Sequence, residues 1–165
     1  MAELFEKYRD LIIQPFIDGR EVTCGVLDHG VSRSAYTLPV TEIKPKLSHF
    51  FDYESKYKVG GAEEITPAKM SEAWLKEIER VAKQAHVVLG CHGMSRVDMI
   101  IGRDGKVYVL EVNTIPGLTK TSLLPQEAKA KKISFSDLIG RIIESGLKYH
   151  GVDVETERQK KIMTG

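Results

Sequence analysis

Asp104-Gly105 stands between two apolar runs, and this dipeptide constrains the fold more than any other feature of the chain. It is the strongest short-range signal for a two-residue hairpin turn. Such a turn sets the register of everything beside it. Arg103 then faces Lys106, and counting outward opposes Ile101 to Tyr108, Met99 to Leu110 and Val97 to Val112. Those six side chains share one face, apolar enough to bury. The other face opposes Ile100 to Val109, Asp98 to Glu111 and Arg96 to Asn113.

Two carboxylates therefore meet across the ladder, with Cβ atoms ~5 Å apart. At an effective dielectric of ~20 they repel by ~3 kcal/mol. A one-residue slip would carry both acids into the core, so the apolar pattern resists it. Three arrangements offset the repulsion: a shared proton, the Arg96 guanidinium alone, or a hard divalent cation. Asn113 favours the cation, because a neutral amide oxygen adds a ligand without adding charge. The following "TIPGLTKTS" is a glycine-containing loop rich in hydroxyls, suited to an anion close to such a metal.

The rest of the chain supplies the frame. "LIIQPFIDG" (11–19) reads as a short strand. "REVTCGVL" (20–27) alternates, with Val22, Cys24 and Val26 on one face and Glu21, Thr23 and Gly25 on the other. A turn at "DHGVS" allows a hairpin between 20–27 and 33–38, and 40–45 is a further strand candidate. Residues 47–66 hold no stable period and read as a long loop of the lid or binding kind. Thr66-Pro67 has the form of a helix start, followed by an apolar stripe from Met70 to Leu89 that Gly90 ends. Residues 134–147 form a second amphipathic helix, with Ser134 or Ser136 as its cap. The lysines 129, 131 and 132 read as a solvated face, and His86 and His92 as structural or exposed. Residues 151–165 are a polar tail.

The 165 residues suffice for one domain or two small lobes, and a formal charge of +1 offers no bulk attraction to nucleic acid or an acidic membrane. No apolar run reaches the ~18 residues of a membrane helix, and no secretory core opens the chain. Two distant cysteines fit reduced thiols. These features lead to the expectation of a soluble, cytoplasmic protein. The fold expected is α+β: a mainly antiparallel sheet, with the 67–89 and 135–147 helices on its apolar face.

"GMSRVDMII", then "VYVLEVNTIPGLTKTSLLPQEAKAKKISFSDLIGRIIE", resemble the C-terminal part of bacterial D-alanine–D-alanine ligases, members of the ATP-grasp superfamily. "DYESKY" (52–57) and "GREVTCGVL" (19–27) resemble two further blocks in the right order. The resemblance runs from about Leu11 to Leu147. It implies that residues 1–150 are the large, C-terminal lobe of an ATP-grasp fold. It also implies ATP- and Mg²⁺-dependent joining of two D-alanines through a D-alanyl phosphate, a step in making peptidoglycan precursors. Two ions are implied, with Mn²⁺ an accepted substitute.

By position, the resemblance makes Asp98, Glu111 and Asn113 the metal ligands. It makes Arg96 the cation that steadies the transferring phosphoryl and the tetrahedral intermediate, Gly117 an oxyanion donor, and Ser122 the hydroxyl for the second substrate's carboxylate. Lys56 corresponds to a phosphate-binding lysine and Tyr57 to the tyrosine of a mobile loop over the site. Glu21 corresponds to the ribose ligand; Gln14, Phe16 and Ile17 to the adenine edge; Phe50 and Ile100 to apolar ring contacts. Each apolar residue in this set would also be unremarkable in a core, and Lys56 alone would be an ordinary solvated lysine.

Two departures stand out. Ile115 replaces the usual serine of the family, which leaves D-alanine–D-lactate or another carboxylate–amine ligation as an alternative, and Pro15 replaces a lysine at the adenine edge. The family's N-terminal domain and small lobe have no counterpart in this sequence. The expectation is a lobe inactive by itself, completed in cis or in trans and compatible with a homodimer. A non-catalytic, partner-binding remnant of the fold is the remaining rival.

Overall fold

The computed structural model describes residues 8–30, 34–45 and 62–152. The elements run β1 (Gly19–Leu27), β2 (Tyr36–Thr37), β3 (Thr41–Pro45), β4 (Ala62–Ile65), α1 (Glu72–Val88), β5 (Met94–Gly102), β6 (Val107–Asn113), α2 (Leu123–Ala130) and α3 (Phe135–Tyr149). The strands form one sheet in the order β4-β3-β1-β5-β6, with β2 also on β1. Every pairing is antiparallel.

The alternation of β1 decides the layers. Val22, Cys24 and Val26 join Val97, Met99 and Ile101 of β5 in a core closed by Ile78 and Ala82 of α1. Leu27 lies on the opposite face, with Leu124 and Ala128 of α2 and Leu138 of α3. A side chain at Gly25 would collide with Leu124 and Glu127, which places α2 on that face too. The antiparallel α+β expectation holds, but the helices occupy both faces. The reason is that β1 is buried on both sides, and its Thr23 is as inaccessible as Val22.

The hairpin register is half right. Arg96↔Asn113, Val97↔Val112 and Asp98↔Glu111 pair as counted, but Met99 faces Val109, Ile100 faces Tyr108 and Ile101 faces Val107. The turn has three residues instead of two. Gly102 N–H donates to Lys106 O at 2.9 Å, and Gly105 closes the loop with φ of 77°. That is the other hairpin geometry an Asp-Gly pair serves. Its one-residue offset is cancelled by a bulge that leaves Leu110 unpaired, so the pairing at the acids is recovered. Tyr108 therefore lies opposite Ile100, away from the core face, and Leu110 is 47% exposed.

Three further expectations change. Residues 11–18 carry no strand; Pro15 lacks a ladder donor, and Ile12 and Ile13 have no core to enter. The helix starts at Glu72 with Ser71 as its N-cap residue, not at Pro67. Thr66-Pro67 is a cis peptide bond, and the following Ala68 N–H is taken by Val40 O at 2.7 Å. The end of the expected loop is strand β4, whose "AEEI" has no legible period but whose ladder β3 provides. Ser134 caps α3 by accepting from Asp137 N–H at 3.1 Å, as expected. Gly90 follows α1 with φ of 65°.

Candidate metal and nucleotide site

Asp98 and Glu111 face each other from β5 and β6, on the sheet face away from α1. Arg96 holds both Asp98 oxygens, with Nε to Oδ1 at 2.9 Å and Nη2 to Oδ2 at 2.7 Å. Thr23 Oγ1, from the neighbouring strand β1, donates to Asp98 Oδ1 at 2.7 Å. Asn113 Nδ2 lies 3.1 Å from Glu111 Oε1 and 3.5 Å from Asp98 Oδ2. The repulsion of the acids is thus offset by one guanidinium, one hydroxyl and one amide. Asp98 is 9% exposed, whereas Glu111 is open to solvent.

This donor set fits a hard cation. It offers two carboxylates and, on turning the Asn113 amide over, a third oxygen. Among the described residues no three His, Cys, Asp or Glu side chains converge on a common point. Mg²⁺ commonly takes only one or two carboxylates and completes its shell from water and phosphate.

A cleft of about 340 Å³ lies along β1, β3 and β5, and Ile100 in its wall is two residues from Asp98 on β5. Glu21 pairs with Ile100, two residues along from the Thr23–Asp98 pair. Both line the cleft, together with Phe16, Ile17, Ile43 and Lys44. Four expected nucleotide residues therefore share one cavity. Gln14 does not line it. Phe50, Lys56 and Tyr57 lie outside the described residues.

Beyond β6, Gly117 and Ser122 come together. A Cβ at Gly117 would sit 2.8 Å from Ser122 Oγ. That hydroxyl accepts from Thr119 N–H at 3.1 Å and bonds Thr119 Oγ1 at 2.8 Å. Ser122 occupies the N-cap position of α2 without a side-chain cap bond, so its hydroxyl serves the loop. Ile115 is 86% exposed.

Sequence reasoning missed Thr23, Lys44 and Glu127. Thr23 was placed on the correct face of β1, but its contact with Asp98 depends on the β1–β5 register, joining residues 75 apart in sequence. Glu127 is wholly buried, with Gly25 N–H at 2.7 Å from Oε2 and Thr41 Oγ1 at 3.1 Å from Oε1. Burial pushes its carboxyl up to about 8, against those two hydrogen bonds and the Arg96 charge.

This antiparallel sheet with helices on both faces is the ATP-grasp fold that solved D-alanine–D-alanine ligases share with it. The profile of the family described as "D-ala D-ala ligase C-terminus" matches residues 1–144, and the chain belongs to that family. It is 47% identical over 150 residues to the D-alanine–D-alanine ligase of Leptospira interrogans, covering 90% of this chain and 42% of that protein. The Bacillus anthracis D-alanine–D-alanine ligase solved in complex with ATP aligns at a TM-score of 0.63 and 32% identity, over 81% of this chain and 40% of that one. The D-Ala:D-Ser ligase VanG of Enterococcus faecalis aligns at 0.63 and 35%, over 78% and 36%. The chain therefore spans less than half the length of these relatives. No described helix is long and apolar enough to cross a membrane.

Proposed function

We propose that this chain is the large lobe of an ATP- and Mg²⁺-dependent ligase that joins D-alanine to D-alanine through a D-alanyl phosphate. The observation that carries the reading is the opposition of Asp98 and Glu111, with Arg96 on one acid and Asn113 reaching both. Asp98, Glu111 and Asn113 would hold the metal. Bound there, it would neutralise phosphate oxygens and draw electron density from the transferring phosphoryl group.

The chain's own residues supply the remainder. Glu21 and Ile100 present a polar and an apolar wall of the cleft to a ribose and a base. Arg96, already locked on Asp98, keeps a fixed cation beside the developing charge of phosphoryl transfer and needs little reorganisation. Ser122 offers a hydroxyl to the carboxylate of the second amino acid, and the missing side chain at Gly117 keeps the backbone beside it accessible. The amine of that amino acid then displaces phosphate from the acyl phosphate, so the peptide bond forms as the acyl–oxygen bond breaks. Residues 1–150 constitute the lobe, and the remainder of the ligase acts in cis or in trans.

The test is calorimetry of the chain with Mg²⁺ and a non-hydrolysable ATP analogue, in the wild type and in Glu111→Gln. Binding confined to the wild type supports the reading; equal binding by both sinks it. A second reading keeps the chemistry and changes the acceptor. Exposed Ile115 in the substrate loop, and the likeness to a D-Ala:D-Ser ligase, favour a second substrate other than D-alanine. A product assay with D-alanine, D-serine and D-lactate as competing acceptors, on the chain completed by its other domains, separates the two.

A further inference from the structure

The sheet has a gap, and a carboxyl group fills it. On one side of β1, β3 pairs with Glu21, Val22 and Thr23, while β2 pairs with Val26 and Leu27. Cys24 and Gly25 face no strand partner there. Gly25 O receives Leu38 N–H at 2.8 Å, but the strands leave Gly25 N–H without an acceptor. Glu127 of α2 supplies one at 2.7 Å. Its second oxygen meets Thr41 Oγ1, which continues to Thr66 Oγ1 at 2.7 Å.

This fit is built into the sequence at both ends. A Cβ at residue 25 would lie 2.6 Å from Glu127 Oε2 and 2.5 Å from Leu124 Cδ1, so only glycine admits the carboxyl. Gly25 is also the residue opposite Arg96 in the β1–β5 ladder. Glu127 lies five residues beyond Ser122, about one and a half helical turns. The adjacent Gln126 ties the same helix to Glu64 of β4 and to Thr121 O. A buried carboxyl is costly unless its partners are in place, yet none of the chemistry outlined above uses this one.

We propose that Glu127 is a positioning residue: its carboxyl, inserted between β2 and β3, sets where α2, and with it Ser122, sits relative to Arg96 and Asp98. The proposal rests on the ligase reading for its functional meaning, since Ser122 matters there as the acceptor-binding hydroxyl. Its mechanical content stands alone. Burial favours the protonated acid near neutral pH. A glutamine would reproduce that form, donating to Thr41 and accepting from Gly25 N–H.

Amide NMR of the full chain provides the test, with Glu127→Gln, Glu127→Ala, Glu127→Asp and, as a control from the other core, Ile78→Ala. The amides of 118–124 should move in the alanine and aspartate variants. In Glu127→Gln and Ile78→Ala they should keep their wild-type positions. In a D-alanine titration read at the Ser122 amide, Glu127→Asp should bind roughly tenfold more weakly, about 1.4 kcal/mol. Its affinity for Mg²⁺–nucleotide should stay within about twofold of the wild type. Aspartate keeps the carboxyl group and withdraws it by one methylene, so it tests position even if the alanine variant does not fold. The proposal is overturned if 118–124 stay in place in the variants that fold while Gly25 and Thr41 respond. It is overturned equally if Ile78→Ala displaces 118–124 as much. Failure of the wild type to bind Mg²⁺–nucleotide would remove the ligase reading and leave the amide result standing.

Discussion

The Arg96 guanidinium grips both carboxylate oxygens of Asp98, at 2.9 and 2.7 Å, from two residues away on the same strand. A second acid, Glu111, stands directly across the ladder. The pair is mostly shielded from solvent, with side-chain exposures of 21% and 12%. Arg96→Met should cost about 3 kcal/mol in metal-free urea denaturation, because it leaves a buried carboxylate opposite another acid. Most of that loss should return on adding Mg²⁺ and nucleotide. An equal loss with and without Mg²⁺ would argue that the acids hold no cation.

Glu111→Gln should behave in the opposite sense. Glu111 is exposed and its removal relieves a like-charge pair, so the metal-free variant should match or exceed wild-type stability by up to ~1 kcal/mol. The gain conferred by Mg²⁺–nucleotide, about 2.7 kcal/mol at a hundredfold excess over Kd, should disappear. Thermal melts with and without Mg²⁺–nucleotide read both effects.

Gly117→Ala tests a close approach. The added methyl would lie 2.8 Å from Ser122 Oγ and displace it. The loop is exposed, so stability should change by less than ~1 kcal/mol, whereas binding of D-alanine at Ser122 should weaken about tenfold or more. Retained affinity would separate Ser122 from the acceptor site.

The Glu127 carboxyl implies a pH dependence of definite sign. Its ordinary value of 4.5 is raised to about 8 by burial. The folded chain therefore keeps a proton that the unfolded chain releases. The stabilisation is complete below about 4.5, declines as pH rises through that window, and is gone above about 8. By pH 7 the loss is roughly 3 kcal/mol. Urea denaturation at pH 5 and pH 8 should show this decline in the wild type and not in Glu127→Gln.

His86 acts in the reverse direction. It is fully buried, with Nδ1 at 2.7 Å from Ser95 Oγ and Nε2 at 3.5 Å from Asp28 Oδ2. Burial holds its imidazole below the usual 6.5, and Asp28 offsets only part of that effect. Burial of Asp28 would raise that carboxyl, but donors from Ser145, Gly30, Gly93 and His86 together hold it below its ordinary value. Both groups favour the folded chain above their unfolded values and withdraw that support as pH falls. His86→Gln should therefore lose stability at pH 7, and its deficit against the wild type should shrink as pH falls from 6.5 to 5, read by the same denaturation series.

The acids were legible because two local signals agreed. Asp-Gly placed the turn, and alternation in "VDMII" and "VYVLEV" resisted a slip. The details between them were not legible. A three-residue turn and the bulge at Leu110 shift the register twice, in opposite senses, and leave the acids paired while moving Tyr108 to the other side. Counting from the turn cannot detect two offsets that cancel. The 11–19 strand failed for a related reason. Apolar residues predict a strand only where an edge and a core are available, and Ile12 and Ile13 meet neither.

The sequence by itself determined that one hairpin carries two opposed carboxylates with an arginine and an asparagine beside them, because residues close along a strand obey period-two geometry whatever surrounds them. Only the tertiary structure decided that Thr23 braces Asp98, that Glu21 and Ile100 share a cleft, that β1 is buried on both faces, and that Glu127 fills the gap at Gly25. Those contacts join residues up to 102 apart along the chain. Their register is set by the packing of whole elements, which no local pattern encodes.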